Sequence, residues 1–495
     1  MQIGDLMNTS GVAFGTSGAR GLATAMTDRV CYAYTAGFLG YLRASGLLAP
    51  AAEIGLGGDL RPSTSGILAA CARAARDLGC RPRYLGRIPS PAVAAWGMTR
   101  GAPSLMVTGS HIPDDRNGIK FNLPTGEILK RDEEGIREQP LRVPEDLFDA
   151  AGAFVEDQSA ALPREDSGAY RDYLTRYLSF FPAGSLGGLR VGVYEHSSVA
   201  RGVFVDLLEG LGAQVTRLGF SEVFVPVDTE AIRPEDVTLA RDWTASGRFD
   251  ALVSADGDGD RPLVGDETGE WLRGDIAGVL CARQLGARGV VTPVSSNTAV
   301  ERSGWFEAVL RTRIGSPFVI EGMQDLVGRG MDPVVGYEAN GGFLLATDIE
   351  QEGRILPALP TRDAVVVALA ILRAAVEQGK PVSALSADLP RRFTRSDRLK
   401  DFPTEIARAR LAEIHRGEPA RDRAATQAVF GAAFGPVADL DVTDGLRITF
   451  ASGEIAHLRP SGNAPELRAY TEADSPERAE EMNRICMEIL AGWRA

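Results

Sequence analysis

Three aspartates, Asp256, Asp258 and Asp260, stand at alternate positions in the segment ADGDGDRP, with glycine between them. In extended backbone this spacing puts the carboxylates on one side, and the glycines let the chain bend so that they can share a cation. Carboxylate oxygens suit Mg²⁺, which keeps further positions for water and for a substrate phosphate. The pattern predicts a Mg²⁺ site, and a solvated acidic turn stays open as the simpler alternative.

A calcium-binding EF-hand loop is a second alternative, since Glu267 falls at the twelfth position counted from Asp256. Arg261 and Pro262 exclude it, because they stand where such a loop has its glycine and its pliable seventh residue. The strand-like run before the aspartates also differs from the helix that opens an EF-hand.

Ser110 lies in the segment SLMVTGSHIP, directly before His111. The apolar run SLMV is typical of a strand, so Ser110 is expected on a loop at the strand's carboxyl end, where open α/β proteins bind ligands. A serine beside a bound Mg²⁺ can carry a phosphoryl group, because the cation stabilises its charge. A turn or a helix cap is the alternative for a Ser-His pair.

A second phosphate site is predicted near the C-terminus, where RPSGNAPELR combines guanidinium groups, a hydroxyl, an amide and glycine. Its candidate residues are Arg459, Ser461, Gly462, Asn463 and Arg468. Pro-Ser-Gly-Asn is also an ordinary turn sequence. The glycine-rich segment GTSGARG, with Arg20, is a weaker candidate. A phosphoserine and a separate holder for a second phosphate fit phosphoryl transfer between two positions of one substrate.

Short apolar runs alternate with longer stretches of helical spacing along the chain. This alternation predicts the strands and helices of βαβ units, which would position these loops. Residues 53–86 and 189–219 look like copies of one unit, and a weaker third copy runs from 289 to 315. After each copy, one further apolar strand leads into the serine loop, the aspartate loop or the GYEANGG loop with Glu338. Three such domains around one centre would bring these loops into one cleft.

The length of 495 residues exceeds one ordinary core and suggests about three or four domains. We expect three related α/β domains at 1–155, 156–262 and 263–384, and a smaller C-terminal α+β domain at 385–495 that closes over the cleft. The Pro-rich, acidic stretch 136–170 is expected to join the first two domains.

Composition limits the partners. The chain has 66 acidic and 53 basic side chains and a net charge of −13, which argues against nucleic acid or an anionic membrane and favours a small-molecule partner. The start MQIGDLMNTSG has no basic segment followed by an apolar one, and no apolar run reaches the length of a spanning helix. The five cysteines are scattered without metal-ligand spacing, so a reducing cytoplasm is expected.

Four motifs in one order, TGSHIP, DGDGDR, GYEANGG and RPSGNAPE, resemble those of the α-D-phosphohexomutases, most of all the bacterial phosphomannomutase/phosphoglucomutase branch. The resemblance covers nearly the whole chain. It implies three related α/β domains and a fourth domain similar to the TATA-binding-protein fold, around a central cleft. The activity it implies is interconversion of hexose 6-phosphate and hexose 1-phosphate, with mannose phosphate preferred, Mg²⁺ as cofactor and hexose 1,6-bisphosphate as intermediate and activator. A phosphoglucomutase, a phosphoglucosamine mutase and a non-catalytic sugar-phosphate-binding regulator are the alternatives.

The resemblance also implies roles for single residues. Ser110 would carry the phosphoryl group and bind Mg²⁺ together with the three aspartates. The reaction centre would also contain Arg20, His111, Lys120 and Arg261, with Lys120 a candidate acid or base. Glu338 would contact sugar hydroxyls, with Asn340 in the same loop. The non-transferring phosphate would lie on Arg459, Ser461 and Asn463.

The chain departs from the family pattern at two places. Many members read Gly-Glu-Met-Ser-Gly-His in the third motif, whereas this chain has Asn340 at the serine position and Gly342 at the histidine position. The segment RIGSPFV likewise has Ser316 where relatives often carry histidine. These differences leave the general base and the sugar preference open.

Overall fold

The structure is a computed structural model that describes residues 2–15, 18–158, 162–461 and 465–494. Two of the predicted phosphate-binding residues, Gly462 and Asn463, lie outside the described residues. Among the described residues, no helix is both long and apolar enough to span a membrane.

The first region of the chain forms a seven-stranded sheet in the order β1-β2-β6-β5-β3-β4, with β7 paired to β6. Its elements are α1 (Ile3–Ser10), β1 (Ala13–Phe14), β2 (Ala19–Leu22), α2 (Asp28–Ala44), β3 (Glu53–Gly58), α3 (Thr64–Asp77), β4 (Arg81–Gly86), α4 (Ser90–Arg100), β5 (Ser104–Val107), β6 (Arg116–Leu123), β7 (Gly126–Glu127) and α5 (Lys130–Arg137). A 3₁₀ helix, Glu145–Leu147, follows in the predicted linker.

The second region forms a four-stranded sheet in the order β11-β10-β8-β9. Its elements are α6 (Gly168–Phe180), β8 (Arg190–His196), α7 (Arg201–Gly210), β9 (Gln214–Phe220), α8 (Pro234–Thr244), β10 (Ala251–Ala255) and β11 (Pro262–Gly265). Because β11 pairs with β10 up to Gly265, the sheet continues past the predicted domain end at residue 262.

The third region forms a sheet in the order β13-β12-β14-β15 and a separate pair, β16-β17. Its elements are α9 (Gly274–Gln284), β12 (Gly289–Pro293), α10 (Ala299–Arg302), β13 (Ala308–Thr312), α11 (Ser316–Gly328), β14 (Val334–Tyr337), β15 (Phe343–Leu345), β16 (Ile349–Gln351), β17 (Arg354–Leu356) and α12 (Ala364–Gln378), followed by a 3₁₀ helix, Val382–Asp388. Helix α12 is apolar on nearly every side and is buried in a core to which the first three regions all contribute.

The last region forms an antiparallel five-stranded sheet in the order β18-β22-β21-β20-β19. Its elements are β18 (Phe393–Leu399), α13 (Thr404–Ile414), α14 (Pro419–Phe434), β19 (Val437–Asp441), β20 (Leu446–Phe450), β21 (Ile455–Pro460), β22 (Leu467–Ala473), α15 (Pro476–Ala491) and a 3₁₀ helix, Gly492–Arg494. It has a core of its own.

The first three sheets share one strand pattern. Strands β3, β8 and β12 are each flanked by two parallel neighbours, and the later neighbour (β5, β10 or β14) has an antiparallel partner on its other side. The serine, aspartate and GYEANGG loops therefore leave equivalent strands at equivalent ends, as the sequence repeat predicted. The expected fold class, α/β with a C-terminal α+β region, is confirmed.

Candidate active site

Ser110 lies on the loop between β5 and β6 and is almost fully buried. Its Oγ donates a hydrogen bond to Asp256 Oδ2 at 2.6 Å, across the boundary between the first and second sheets. Its φ of 57° is in the left-handed region that non-glycine residues rarely adopt. Its backbone N–H donates to Thr108 Oγ1 at 2.7 Å, which holds this conformation.

The serine loop is wrapped around the side chain of Arg61, which follows β3. The guanidinium pairs with Asp59 at 2.9 Å and donates to the carbonyl oxygens of Ser110, Ile112, Pro113 and Arg116. A Cβ on Gly109 would lie 2.6 Å from Arg61 Cζ, so only glycine lets the loop approach this closely. Arg61 therefore fixes the path of the loop that presents Ser110.

The three aspartates follow β10 and are buried with carboxylate oxygens within 4.8 Å of one another. Two carboxylate oxygens of the triad, Asp258 Oδ1 and Asp260 Oδ1, are buried and accept no hydrogen bond from the residues that the structure describes, although Arg261 Nε lies 3.7 Å from Asp260 Oδ1. Buried carboxylate oxygens without a partner cost free energy unless a cation or a donor reaches them. The donor set therefore fits a hard divalent cation such as Mg²⁺.

Lys120, on β6, faces the same carboxylates from the first sheet. Its Nζ donates to Asp258 Oδ2 at 2.6 Å and to Asp260 Oδ2, while Ser90 Oγ donates to Asp258 Oδ2 at 2.6 Å. Burial lowers the pKa of Lys120, but the charges of Asp258 and Asp260 outweigh it, and the pKa lies above its ordinary value. Burial would raise the pKa of Asp258, but Lys120 outweighs it and holds that pKa well below its usual range.

His111 is held beside the serine as a neutral imidazole. Burial, and then the charge of Arg261, lower its pKa to about 3, against the opposing effect of Asp228. Arg261 Nη1 lies 2.8 Å from His111 Nδ1, and because a guanidinium only donates, Nδ1 accepts and the ring proton is on Nε2. Nε2 lies 4.0 Å from Asp228 Oδ2. Arg20 is also buried here, and burial and the charge of Arg261 lower its pKa to about 10.

The GYEANGG loop follows β14 and places Glu338 in a buried position. Glu338 Oε2 lies 3.4 Å from Arg362 Nη1, and Arg362 Nη2 lies 3.0 Å from Asp260 Oδ2. Asn340 Oδ1 accepts from the Gly342 N–H at 2.9 Å, so this side chain shapes its own turn. The loops that the sequence repeat predicted to converge therefore meet: Ser110 contacts Asp256, and Arg362 joins Asp260 to Glu338.

The predicted phosphate-binding arginines lie opposite each other on β21 and β22, where Arg459 is the Cα partner of Arg468. Like charges in this position repel unless anions offset them. Each arginine has a carboxylate partner, Asp444 at 2.9 Å for Arg459 and Glu466 at 3.0 Å for Arg468. Ser461 is buried just after β21. The arrangement can accept a dianionic phosphate.

Glu230 lies on the loop before α8 that also carries Asp228. Burial, and then the charge of Asp228, raise the pKa of Glu230, and the charges of Arg468, Arg273 and Arg261 only partly offset them.

Several residues that lie among these loops were not predicted from the sequence, chiefly Asp59, Arg61, Asp228 and Arg362. A signal for two of them was present, because GGDLRPS places Asp59 and Arg61 directly after a predicted strand, at the same sheet edge as the other loops. Asp228 and Arg362 follow no predicted strand of the three repeats, and only the packing of the sheets brings them to the centre.

Three family models match the chain: domain I, an alpha/beta/alpha domain of phosphoglucomutase/phosphomannomutase, at residues 11–143, the corresponding domain III at 273–393, and the C-terminal domain at 407–489. A phosphomannomutase from Sinorhizobium fredii is 45% identical over 95% of this chain and 97% of its own length. One from Salmonella muenchen is 42% identical over 96% and 95%. A phosphoglucosamine mutase from Gluconacetobacter diazotrophicus is 28% identical over 94% and 95%.

Solved structures share the fold. A phosphoglucomutase/phosphomannomutase family protein from Burkholderia thailandensis has a TM-score of 0.71 at 18% identity, over 97% of both chains. The N-acetylphosphoglucosamine mutase of Aspergillus fumigatus, solved with GlcNAc-6P and magnesium, has a TM-score of 0.55 at 14% identity, over 99% of this chain and 98% of that one. With near full-length relatives above 40% identity, the chain belongs to the phosphoglucomutase/phosphomannomutase family.

Proposed function

We propose that this chain interconverts hexose 6-phosphate and hexose 1-phosphate through a phosphorylated Ser110, with mannose phosphate as its best substrate. The observation that supports this most directly is the 2.6 Å contact between Ser110 Oγ and Asp256, at the edge of a buried aspartate triad in which two oxygens accept no hydrogen bond from the described residues. Two relatives above 40% identity are phosphomannomutases, which favours mannose phosphate.

Ser110, Asp256, Asp258 and Asp260 would hold Mg²⁺. When bound there, the cation stabilises the charge on the phosphoryl oxygens. In the transfer, the bond between phosphorus and Ser110 Oγ breaks and a bond forms to the free hydroxyl oxygen of the sugar phosphate. The hydroxyl proton ends on the serine oxygen, which balances the exchange. Lys120, which its neighbouring carboxylates keep protonated, is the candidate to protonate the leaving serine oxygen, and the hydroxyl proton then restores its charge.

The other residues would bind and orient. His111 and Arg261 would face the phosphoryl group as neutral imidazole and fixed cation, and Arg20 would add charge next to them. Glu338 would accept hydrogen bonds from sugar hydroxyls, with Asn340 shaping the loop. The second phosphate would lie on Arg459 and Arg468, with Ser461 and the predicted Gly462 and Asn463 beside them.

The product of the first transfer, hexose 1,6-bisphosphate, must turn around in the cleft, so that its other phosphate meets Ser110. A single phosphate holder then serves both orientations. The same bisphosphate, added from solution, would phosphorylate Ser110 and so act as activator.

The test is a comparison of kcat/KM for mannose, glucose and glucosamine 1-phosphates, with Mg²⁺ and catalytic hexose 1,6-bisphosphate. We expect mannose 1-phosphate to give the highest value, glucose 1-phosphate an appreciable one and glucosamine 1-phosphate a low one. Glucosamine 1-phosphate as the best substrate would reassign the sugar within the family, and no turnover of any of the three would reject the mutase.

A further inference from the structure

Arg362 is buried between the aspartate loop and the GYEANGG loop, with 3% of its side chain exposed. It precedes Asp363, which caps α12 by accepting the Val365 N–H at 2.9 Å. Asp363 also accepts hydrogen bonds from the hydroxyls of Tyr173 and Tyr177. The hydrogen bonds of Asp363 therefore fix the backbone next to Arg362, so the arginine side chain extends from a fixed point.

The guanidinium connects two loops that come from different sheets. Nη2 lies 3.0 Å from Asp260 Oδ2, and Nη1 lies 3.4 Å from Glu338 Oε2. A guanidinium is always charged and presents its donors in a rigid plane, so it fixes the direction of a carboxylate better than a lysine does. The proposed sugar-binding carboxylate is thus oriented by an arginine that also contacts a proposed metal ligand.

Arg362 occupies space that glycine leaves empty. A Cβ on Gly342 would lie 2.7 Å from Arg362 Cδ and 2.8 Å from its Cγ. Any larger residue at position 342 would displace the arginine from its present path. Position 342 is also where the chain departs from the family pattern, with glycine in place of histidine.

The second departure belongs to the same cluster. Ser316 Oγ donates to Glu127 Oε2 at 2.9 Å, and Thr361 Oγ1 donates to Glu127 Oε1 at 2.6 Å. Thr361 is the residue before Arg362. Ser316 is therefore linked to Thr361 through Glu127, whereas Gly342 lies directly against Arg362.

We propose that Arg362 is a positioning residue that orients Glu338 toward the sugar hydroxyls, and that Gly342 leaves the space that the arginine side chain needs. The proposal rests on the proposed function, since it assumes that Glu338 binds the sugar. Arg362 acts through Glu338. Its removal leaves that carboxylate free to turn, and sugar affinity falls while the fold is kept.

The experiment measures binding rather than turnover. Calorimetric titrations of mannose 1-phosphate and glucose 1-phosphate are made in a Ser110→Ala background with Mg²⁺, for Arg362→Met, Arg362→Lys, Glu338→Gln and the Arg362→Met/Glu338→Gln double variant. We expect the Met and Gln variants each to lose about tenfold or more in affinity for mannose 1-phosphate, as for a lost charge-assisted hydrogen bond. The double variant should lose no more affinity than the weaker-binding single variant. The affinity of Arg362→Lys should lie between those of the Ser110→Ala parent and Arg362→Met.

A matched control is Arg373→Met, a buried arginine further along α12 that pairs with Glu352 at 2.9 Å. Its affinity for mannose 1-phosphate should stay within about twofold of that of the Ser110→Ala parent. Gly342→Ala should reproduce the loss in the presence of Arg362 and add nothing to Arg362→Ala, in which Cγ and Cδ are gone. Thermal unfolding of each variant identifies any that do not fold.

Losses that multiply in the double variant, or unchanged affinity in a folded Arg362→Met protein, would overturn the proposal. Failure of the proposed function looks different: wild type would bind neither sugar phosphate, or would bind them and turn over no hexose phosphate. Because binding is measured in the Ser110→Ala background, the coupling between Arg362 and Glu338 is read separately from catalysis.

Discussion

The surroundings of Ser110 and the arginine strands β21 and β22 are built differently. Around the serine, the charged groups are nearly all buried and contact one another: the side chains of Lys120, Asp258 and Asp260 are 10%, 0% and 2% exposed. On the arginine strands, Arg459 and Arg468 are 17% and 30% exposed, and each has one carboxylate partner. The serine side is rigid before substrate arrives, whereas the arginines can exchange a carboxylate for a phosphate at low cost.

Removal of the serine hydroxyl should have the largest effect. Ser110→Ala should abolish phosphorylation of the enzyme and lower kcat by roughly 10⁴-fold or more, because no other group can carry the phosphoryl group. Affinity for hexose 6-phosphate should be kept, since the arginine strands are untouched. A coupled assay and a binding titration measure the two, and residual activity above about a tenth of wild type would show that Ser110 is not the carrier.

Asp258→Asn should have the second largest effect on activity. One proposed cation ligand becomes neutral and Lys120 loses a partner at 2.6 Å, so we expect kcat to fall by about 10²- to 10³-fold and the Mg²⁺ requirement to rise. The control is Asp250→Asn, which breaks an exposed pair with Arg190 and should leave activity unchanged. Full wild-type activity in excess chelator would contradict a metal site.

Arg61→Met tests the support of the serine loop. Removal of a buried, multiply bonded guanidinium takes one donor from Asp59 and one from each of four carbonyl oxygens, and should cost about 3–5 kcal/mol of unfolding free energy. We expect kcat to fall more than KM rises, because the loop that presents Ser110 loses its path while the arginine strands stay intact. Denaturant unfolding and steady-state kinetics measure the two effects. A large rise in KM alone would indicate a binding role instead.

The arginine strands should respond in KM. Arg459→Ala should raise KM about tenfold in both reaction directions with a smaller change in kcat, since one holder serves both orientations. Asp444→Asn removes the carboxylate that competes for Arg459 and should leave KM equal to or below that of wild type. An effect in one direction only would contradict a shared phosphate holder.

The smallest effect is a pH dependence of the arginine side. Burial lowers the pKa of His457, on β21, to about 4, against an ordinary value of 6.5. As the pH falls, His457 is therefore protonated in the unfolded chain before it is protonated in the folded one. The stability that the buried neutral imidazole contributes is complete above pH 6.5 and is lost as the pH drops toward 4. Between pH 6.5 and 5.5 the loss should approach about 1 kcal/mol. Denaturant unfolding of His457→Gln should lack this part of the slope, and an unchanged slope would mean that His457 is not the group.

Features of the fold with a local sequence pattern could be predicted from the sequence. The strand-loop units were predictable because apolar runs, Leu-Gly helix ends and polar loops recur at each copy, and a common strand order then forces Ser110, Asp256 and Glu338 to one edge. The aspartate spacing carried the metal hypothesis without any knowledge of packing.

Residues that act from a distance along the chain could not be predicted in this way. Arg362 follows β17 with no local pattern of its own, and its role depends on the 3.0 Å contact to a loop more than 100 residues earlier. The path of that side chain also depends on the absent Cβ of Gly342, which reads as an ordinary loop glycine in the sequence. The exact end of the second sheet, at Gly265, likewise depends on pairing with β10.

The central claim is that Ser110 carries the phosphoryl group that reaches the sugar. The direct measurement is a single turnover with enzyme radiolabelled on phosphate by incubation with labelled hexose 1,6-bisphosphate and freed of excess ligand. We expect the label to map to the peptide containing Ser110 and to move to mannose bisphosphate when unlabelled mannose 6-phosphate and Mg²⁺ are added, at a rate no lower than kcat. Label on another residue, or label on Ser110 that stays there while turnover proceeds, would contradict it.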